Sequence, residues 1–276
     1  MLKIAIFIIL AFCFVTKTNA TLEGIQTEYQ IPLDPEFLRQ STPNSLLASI
    51  QTAIDTSIRV DRQTLSYTSY DKIKFHLDNE ELDKKLTIRL RHFNGTEEWQ
   101  LTVKYNSPTL GEIMAWQITP NPKATSKIEQ DIFPHYTKFA YSRTIFLTKK
   151  PTLERVSQLQ SIFPELIFLT TVTPLVALKS ESQTILCLSG LKVIYGSTSL
   201  KMAFDITLPD AKSAIDKDLS RAVAGELSFK VKKPDLHTYQ LAHKLFGNLS
   251  QINGVSQNGP VKNPSYYFRS IASKLP

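Results

Sequence analysis

Apolar and polar residues alternate again and again along this chain, and alternation of period two is what a strand with one buried face requires. In "LTIRLR", Ile88 and Leu90 face one way while Arg89 and Arg91 face the other. In "WQLTVK", Trp99, Leu101 and Val103 oppose Gln100, Thr102 and Lys104. In "SLKMAFDITL", Leu200, Met202, Phe204 and Ile206 oppose Lys201, Ala203, Asp205 and Thr207. In "GELSFKVKK", Leu227, Phe229 and Val231 oppose Glu226, Ser228, Lys230 and Lys232. Four strands thus share one design, a solid apolar face backed by a face of Arg, Lys, scattered carboxylates and small polar residues. An open sheet with one wet face satisfies that pattern. So does a closed barrel whose charged faces point inward and whose apolar faces are covered by helices. Parity alone does not separate a lumen from bulk water.

The remaining segments fill in an α+β order. "EGIQTEYQIPL" alternates as a strand, and residues Asn44 to Ser57 carry Leu46, Leu47, Ile50 and Ile54 at helical spacing after Pro43. Asn94-Gly95 marks the turn of the hairpin between Lys84 and Tyr105. "TLGEIMAWQITP" reads as a further alternating run, "SKIEQDIF" fits either element, and "AYSRTIFLT" is strand-like. "PTLERVSQLQSIFPE" predicts a helix from its leading Pro and its Leu153, Val156, Leu159, Ile162 spacing. "PLVALKSESQTILCL" and "LKVIYGS" read as two strands, and Asp235 opens a helix that runs to Leu249. The tail "VKNPSYYFRSIASKL" stays undecided, and 120–122 (Pro-Asn-Pro) reads as a loop rather than a domain seam. Antiparallel strands with helices packed outside make an α+β fold in one domain.

Residues 1–20 stand apart. A basic Lys3, an apolar run from Ile4 to Val15 and a small Ala20 form the tripartite layout of a signal peptide. The run falls short of the ~20 residues that span a bilayer, so export by cleavage, to a periplasm or beyond the cell, is the expectation. Phe12 before Cys13 does not suit a lipoprotein signal. Removing these 20 of 276 residues takes Lys3 and Lys17 with them and lowers the net charge from +7 to +5. That mild excess favours an anionic ligand without the concentrated basic patch that marks nucleic-acid binders. Cys187 becomes the sole cysteine, which leaves no intramolecular disulfide and no cysteine-built zinc site. In a eukaryotic host, Asn94 and Asn248 would be glycosylation acceptors.

Taken in order, the strands resemble the CYTH superfamily, the triphosphate tunnel enzymes. The resemblance is carried by "QTEYQ", by "YTSYD" ending at Asp71, by the "TIRLR…EWQLTVK" hairpin and by "LVALKSESQTI". It continues through "LKMAFDITL" with Asp205 and "GELSFK" with Glu226, then a helix and a tail with Lys262 and Arg269. It implies an antiparallel β-tunnel of about eight strands, with helices outside, over residues 21–276 after the signal segment. By the same resemblance, Arg89, Arg91, Lys104, Lys179, Lys201 and Lys230 would bind the phosphates of a triphosphate or polyphosphate. Glu28, Asp205 and Glu226 would face Mg²⁺ or Mn²⁺.

This sequence departs from that family's pattern on the metal side. The family's opening E-x-E-x-K is represented by Gln26, Glu28 and Gln30, Ser228 stands where a second glutamate is usual, and Glu181 follows Lys179 where a base is usual. A hard divalent cation wants several anionic oxygens. The expectation is therefore a phosphate-rich anion bound in a cationic tunnel, with hydrolytic activity weak or lost. Its first rival is a metal-dependent triphosphatase in which Glu129 or Glu112 replaces the missing carboxylates. Its second is a structural protein that uses its outer surface. The five histidines form no metal motif, and His237 and His243, six apart, do not stack on one helix face. No phosphate-binding P-loop, dinucleotide fingerprint or nucleophile elbow occurs. Cys187 in "TILCLSG" reads as a packed thiol, and Trp99, Trp116 and "YYF" (Tyr266 to Phe268) as core.

Overall fold

The computed structural model describes residues 25–54, 57–115, 123–164, 176–231 and 235–255. The expected signal segment, the 120–122 loop, Trp116, and the tail with Lys262 and Arg269 lie outside them. Among the described residues no helix is long and apolar enough to cross a membrane.

Ten strands occur in chain order: β1 (Gln26–Leu33), β2 (Arg59–Asp61), β3 (Ser66–Leu77), β4 (Leu86–Phe93), β5 (Trp99–Ser107), β6 (Ala124–Ile132), β7 (Thr137–Leu147), β8 (Leu178–Tyr195), β9 (Thr198–Leu208) and β10 (Ala224–Val231). Nine of them close into a barrel in the order β8-β3-β4-β5-β7-β6-β1-β10-β9, with β9 returning to β8, while β2 hangs on the outer end of β8. Every neighbouring pair is antiparallel except β1 and β6, which run parallel with Glu28 beside Asp131. The barrel expectation holds, with one strand more than eight and one parallel junction. Closure leaves no free edge in the ring.

Helices cover the outside: α1 (Pro35–Arg39), α2 (Pro43–Ala53), α3 (Glu80–Lys85), α4 (Leu110–Ala115), α5 (Val156–Ile162), α6 (Ala211–Asp216) and α7 (Leu236–Leu249). Thr42 and Ser45 form a capping box that starts α2, and Asp235 caps α7 through the Thr238 amide. Two apolar clusters form between barrel and helices. One joins the outward faces of β1, β9 and β10 (Tyr29, Ile31, Phe204, Leu227, Phe229) to Leu46 and Ile50 of α2 and Leu245 of α7. The other joins Ile73, Phe75, Ile88, Leu90, Leu101 and Val103 of β3–β5 to Ile113 of α4 and to Val156 and Leu159 of α5. The greasy parity is therefore the outer one, and burying it beneath helices at roughly 25 cal/mol per Å² stabilises the barrel from outside. The charged parity lines the lumen.

Two stretches differ from the sequence expectation. "PLVALKSESQTILCL" and "LKVIYGS" are parts of one strand, β8, which passes through Gly190 with a register shift between Leu188 and Leu191. Gly190 has φ +85, and a Cβ there would collide with the Thr64 carbonyl, so the bulge depends on glycine. The first half of "TLGEIMAWQITP" is helix α4 rather than a strand. The Thr109 hydroxyl accepts from the Glu112 amide at 3.4 Å, the Ser107 hydroxyl donates to Glu112 at 2.5 Å, and Ile113 is the buried anchor. A six-residue turn of this kind has too few apolar positions to show a helical period.

Candidate functional site: a two-walled polar lumen

Register places the lumen residues in two walls. One wall is cationic: Lys72 and Lys74 on β3 lie opposite Arg91 and Arg89 on β4, followed by Lys104 on β5 and Lys138 on β7. The other is acidic: Glu129 and Asp131 on β6, Glu28 on β1, Glu226 on β10 and Asp205 on β9. A cavity of about 400 Å³ runs between the walls. Tyr70, Arg91 and Asp205 line it, as do Pro35, Phe133, Tyr136 and Lys84. That volume lies in the ~300–1,000 Å³ range of small-ligand sites.

The acidic wall has two parts with different partners. Glu28, Glu129 and Asp131 bring carboxylate oxygens within 4.8 Å of one another. Lysines already neutralise them: Lys104 reaches Asp131 at 2.8 Å and Glu129 at 3.6 Å, and Lys127 reaches Glu129 at 2.6 Å. Lys230 reaches Glu28 at 3.1 Å and Glu129 at 3.3 Å, and Lys138 lies 3.8 Å from Asp131. Burial alone would raise the Glu129 carboxyl, but Lys104, Lys230 and Lys127 overcome it and hold it down at about 2. Four ammonium groups on three carboxylates make this a closed ion network, and a divalent cation would have to displace lysines to enter it.

Asp205 and Glu226 are different. They face each other across the β9–β10 ladder and form no ion pair among the described residues; Asp205 accepts a 3.3 Å bond from the Tyr70 hydroxyl and a hydrogen bond from the Cys187 thiol. Like charges directly opposite repel. Burial first, and then Glu28, Asp205 and Asp131, push the Glu226 carboxyl up to about 8. Asp205, and Glu226 once a bound cation draws off its proton, would match the donor set of Mg²⁺, which takes one or two carboxylates plus phosphate oxygens.

On β3 and β4, Lys72, Lys74, Arg89 and Arg91 crowd together with no carboxylate in ion-pair distance among the described residues. Burial first, and then Lys74, Arg91 and Arg89, push the Lys72 ammonium down to about 7. Burial first lowers Lys74 as well, to about 8, with Arg89 adding to the effect against Glu181. Burial and the Arg91 guanidinium lower Arg89 to about 10, so it stays charged at neutral pH. The Nε atoms of Arg89 and Arg91 are buried with no hydrogen-bond partner. At the rim, His76 donates toward Asp83 (3.2 Å) and Glu181 (3.5 Å), and hydrogen bonds to both raise it to about 9, making it one more cation.

The residues singled out from sequence separate accordingly. Arg89, Arg91 and Lys104 line the cavity, as do Asp205 and Glu226. Lys230 and Glu28 lie in the ion network instead. Lys179 is exposed and pairs with Asp78 at 3.4 Å, and Lys201 is exposed at the opposite rim, beside Lys192. Sequence reasoning missed Lys72, Lys74 and Lys138. For the first two a signal existed, since "KIKFHL" continues the alternation past Asp71. Cys187 sits beside Asp205 in register, and burial followed by that carboxylate pushes its thiol to about 12, which leaves it a poor nucleophile.

No family model matches the sequence, and no curated protein does. Among solved structures the chain is similar to an adenylate cyclase candidate from Bacillus halodurans, at 14% identity and TM-score 0.41, over 86% of this chain and 96% of that one. It is also similar to an adenylyl cyclase candidate from Hippeastrum with a dominant triphosphatase activity, at 10% identity and TM-score 0.38, over 88% and 94%. The PH1819 protein of Pyrococcus horikoshii follows at 8% identity and TM-score 0.36, over 90% and 99%. Likeness at this level carries no functional argument, so the reading that follows rests on the site.

Proposed function

We propose that this chain is an exported, CYTH-like protein that binds a phosphate-rich anion, a triphosphate or polyphosphate, in its lumen, with hydrolytic activity weak or lost. One observation carries the reading: Lys72, Lys74, Arg89, Arg91 and Lys138 converge on a single cavity with more positive charge than their neighbours neutralise. Anionic oxygens would satisfy the orphaned Arg89 and Arg91 Nε atoms, and guanidinium forks suit phosphate bidentately. The poor solvation that depresses Lys72 also strengthens each such contact.

The facing pair Asp205 and Glu226 favours a second reading, a metal-dependent triphosphatase. These two side chains would hold Mg²⁺ or Mn²⁺. When bound, such an ion would supply the Lewis acidity that neutralises charge developing on a phosphate under attack by water. The chain's own residues would orient the anion along the cationic wall, with the buried Tyr70 ring helping to exclude water. Against efficient turnover stands the ion network, which withdraws Glu28, Glu129 and Asp131 from metal binding.

Calorimetric titration of tripolyphosphate, with and without Mg²⁺ or Mn²⁺ and with phosphate release followed in parallel, separates the two. Tight binding indifferent to metal is expected, and Arg91→Ala should weaken it about tenfold, the worth of one charge-assisted contact. Absence of binding to the parent protein would overturn the anion reading. Rapid metal-stimulated release would favour the enzyme. In that case Glu226→Gln should remove the stimulation, whereas anion affinity without metal should change little.

A further inference from the structure

The cavity takes up only part of the barrel's length, and its lining stops at a common depth. It ends at Gln30 on β1, Lys104 on β5, Asp131 on β6, Asp205 on β9 and Glu226 on β10. The next inward positions, two residues on, are Glu28, Thr102, Glu129, Ala203 and Ser228, and none of these lines it. At that depth, bonds run across the lumen. The strand order β5-β7-β6-β1-β10 puts β7 between Lys104 and its acceptors, and β1 between Lys230 and Glu129. The contacts Lys104–Asp131 (2.8 Å), Lys104–Glu129 (3.6 Å) and Lys230–Glu129 (3.3 Å) therefore each skip a strand, as chords do. On the opposite arc the Tyr70 hydroxyl reaches past β8 to Asp205 at 3.3 Å, and the Arg91 guanidinium lies 5.2 Å over the Tyr70 ring. Glu129, Asp131 and Tyr70 are all buried. On the far side of them the barrel meets solvent again, with Thr68, Phe93 and Lys201 exposed.

We infer that the ion network and the Tyr70–Asp205 bond form a floor across the lumen, so that the cavity is a blind pocket and takes a linear phosphate chain only by its end. The inference rests on the anion-binding reading and adds to it the class of anion held. Threading a chain through the barrel would part lysines from carboxylates that are buried with them, and stranding buried charges in this way is costly. Entering by one end leaves the floor intact. A terminal phosphate also carries more negative charge than an interior one, so the crowded Lys72, Lys74, Arg89 and Arg91 favour an end over the middle of a chain.

Linear polyphosphate long enough to seat a protein at each end is the probe. The full chain is added in excess at physiological ionic strength, where contacts with surface lysines are screened, and analytical ultracentrifugation counts the proteins on each phosphate chain. Two are expected, one per end, and a much longer phosphate chain should still take two. Esterifying both terminal phosphates with a bulky alcohol should weaken binding about tenfold or more, at least the worth of one charge-assisted contact. The double variant Glu28→Ala, Lys230→Ala removes one facing pair, leaves Glu129 with Lys127 and Lys104, and opens the floor at β1 and β10. With it, the number of proteins per phosphate chain should rise with length. The count on the unaltered protein keeps the test decisive if that variant does not fold. A count that grows with length on the unaltered protein, or esterified chains that bind as tightly as free ones, overturns the inference. So does a folded variant that still takes two per chain, because the ion network is then not the stopper. If tripolyphosphate binds in the calorimeter while the count grows with length, the blind pocket fails and the anion reading stands. If tripolyphosphate does not bind at all, the anion reading fails and the preference for chain ends falls with it.

Discussion

Replacing Glu129 by alanine is expected to lower the unfolding free energy by about 3–5 kcal/mol, the cost of breaking a buried ion pair and leaving its partner charged. Glu129 is 2% exposed and is the one carboxylate among the described residues that touches three lysines, at 2.6 Å (Lys127), 3.3 Å (Lys230) and 3.6 Å (Lys104). Without it, Lys127 has no other carboxylate within ion-pair distance among the described residues, and Lys104 and Lys230 keep one each there. The chain of pairs joins β5, β6 and β10 through β1, and so spans the parallel β1–β6 junction where the barrel closes. The same carboxylate sets an acid limb. Its folded pKa lies near 2, below the usual 4.5, so its stabilisation is fully present above about pH 4.5 and is lost as pH falls toward 2. Urea unfolding of the parent across that window should show a loss of about 3 kcal/mol assignable to this group, and Glu129→Ala should flatten it. A variant within about 1 kcal/mol of the parent would show that these pairs do not hold the junction together.

Face assignment was legible in the sequence because a strand's two-residue period survives any tertiary context. Leu90 and Arg91, or Phe204 and Asp205, had to part, and they do. Closure was not legible, since an arginine facing a lumen and one facing bulk water leave the same pattern. Nor was the β1–β6 pairing: it joins segments just over a hundred residues apart, and no local signal distinguishes a parallel neighbour from an antiparallel one in so short a contact. Parity also says nothing about depth along the barrel axis. Lys179 and Lys201 share the inward parity of Arg89 yet end at opposite rims, because β8 and β9 extend beyond the strands they flank. Lys72 and Lys74 were readable in "DKIKFHL", where the alternation continues past Asp71. Lys138 left no such trace: Arg143 gives β7 a charge on its outward parity too, so neither face of that strand reads as plainly apolar.

Tripolyphosphate affinity is expected to fall about a hundredfold between pH 7 and pH 9, the reverse of what the anion's own ionisation would produce. In the unliganded lumen, Lys72 and Lys74 release their protons near 7 and 8, because burial and the neighbouring cations outweigh the few carboxylates in reach. A polyanion seated against them reverses the sign of the local field and draws both toward the ordinary lysine value of about 10.4. Binding therefore takes up protons, and the affinity must decline as pH rises through the free-state values, by up to one decade per pH unit for each proton gained. Two lysines acting alone would give two to three decades over this range, and the extra charge the phosphate acquires offsets part of it. Calorimetry in buffers of different ionisation enthalpy should record an uptake of about one to two protons at pH near 8. Lys72→Met should weaken binding at pH 7 and also reduce the steepness, since only Lys74 would then couple to pH. An affinity that rises with pH, or binding without proton uptake, would mean that the anion sits elsewhere than on β3. The cationic wall would then be balanced by something other than phosphate.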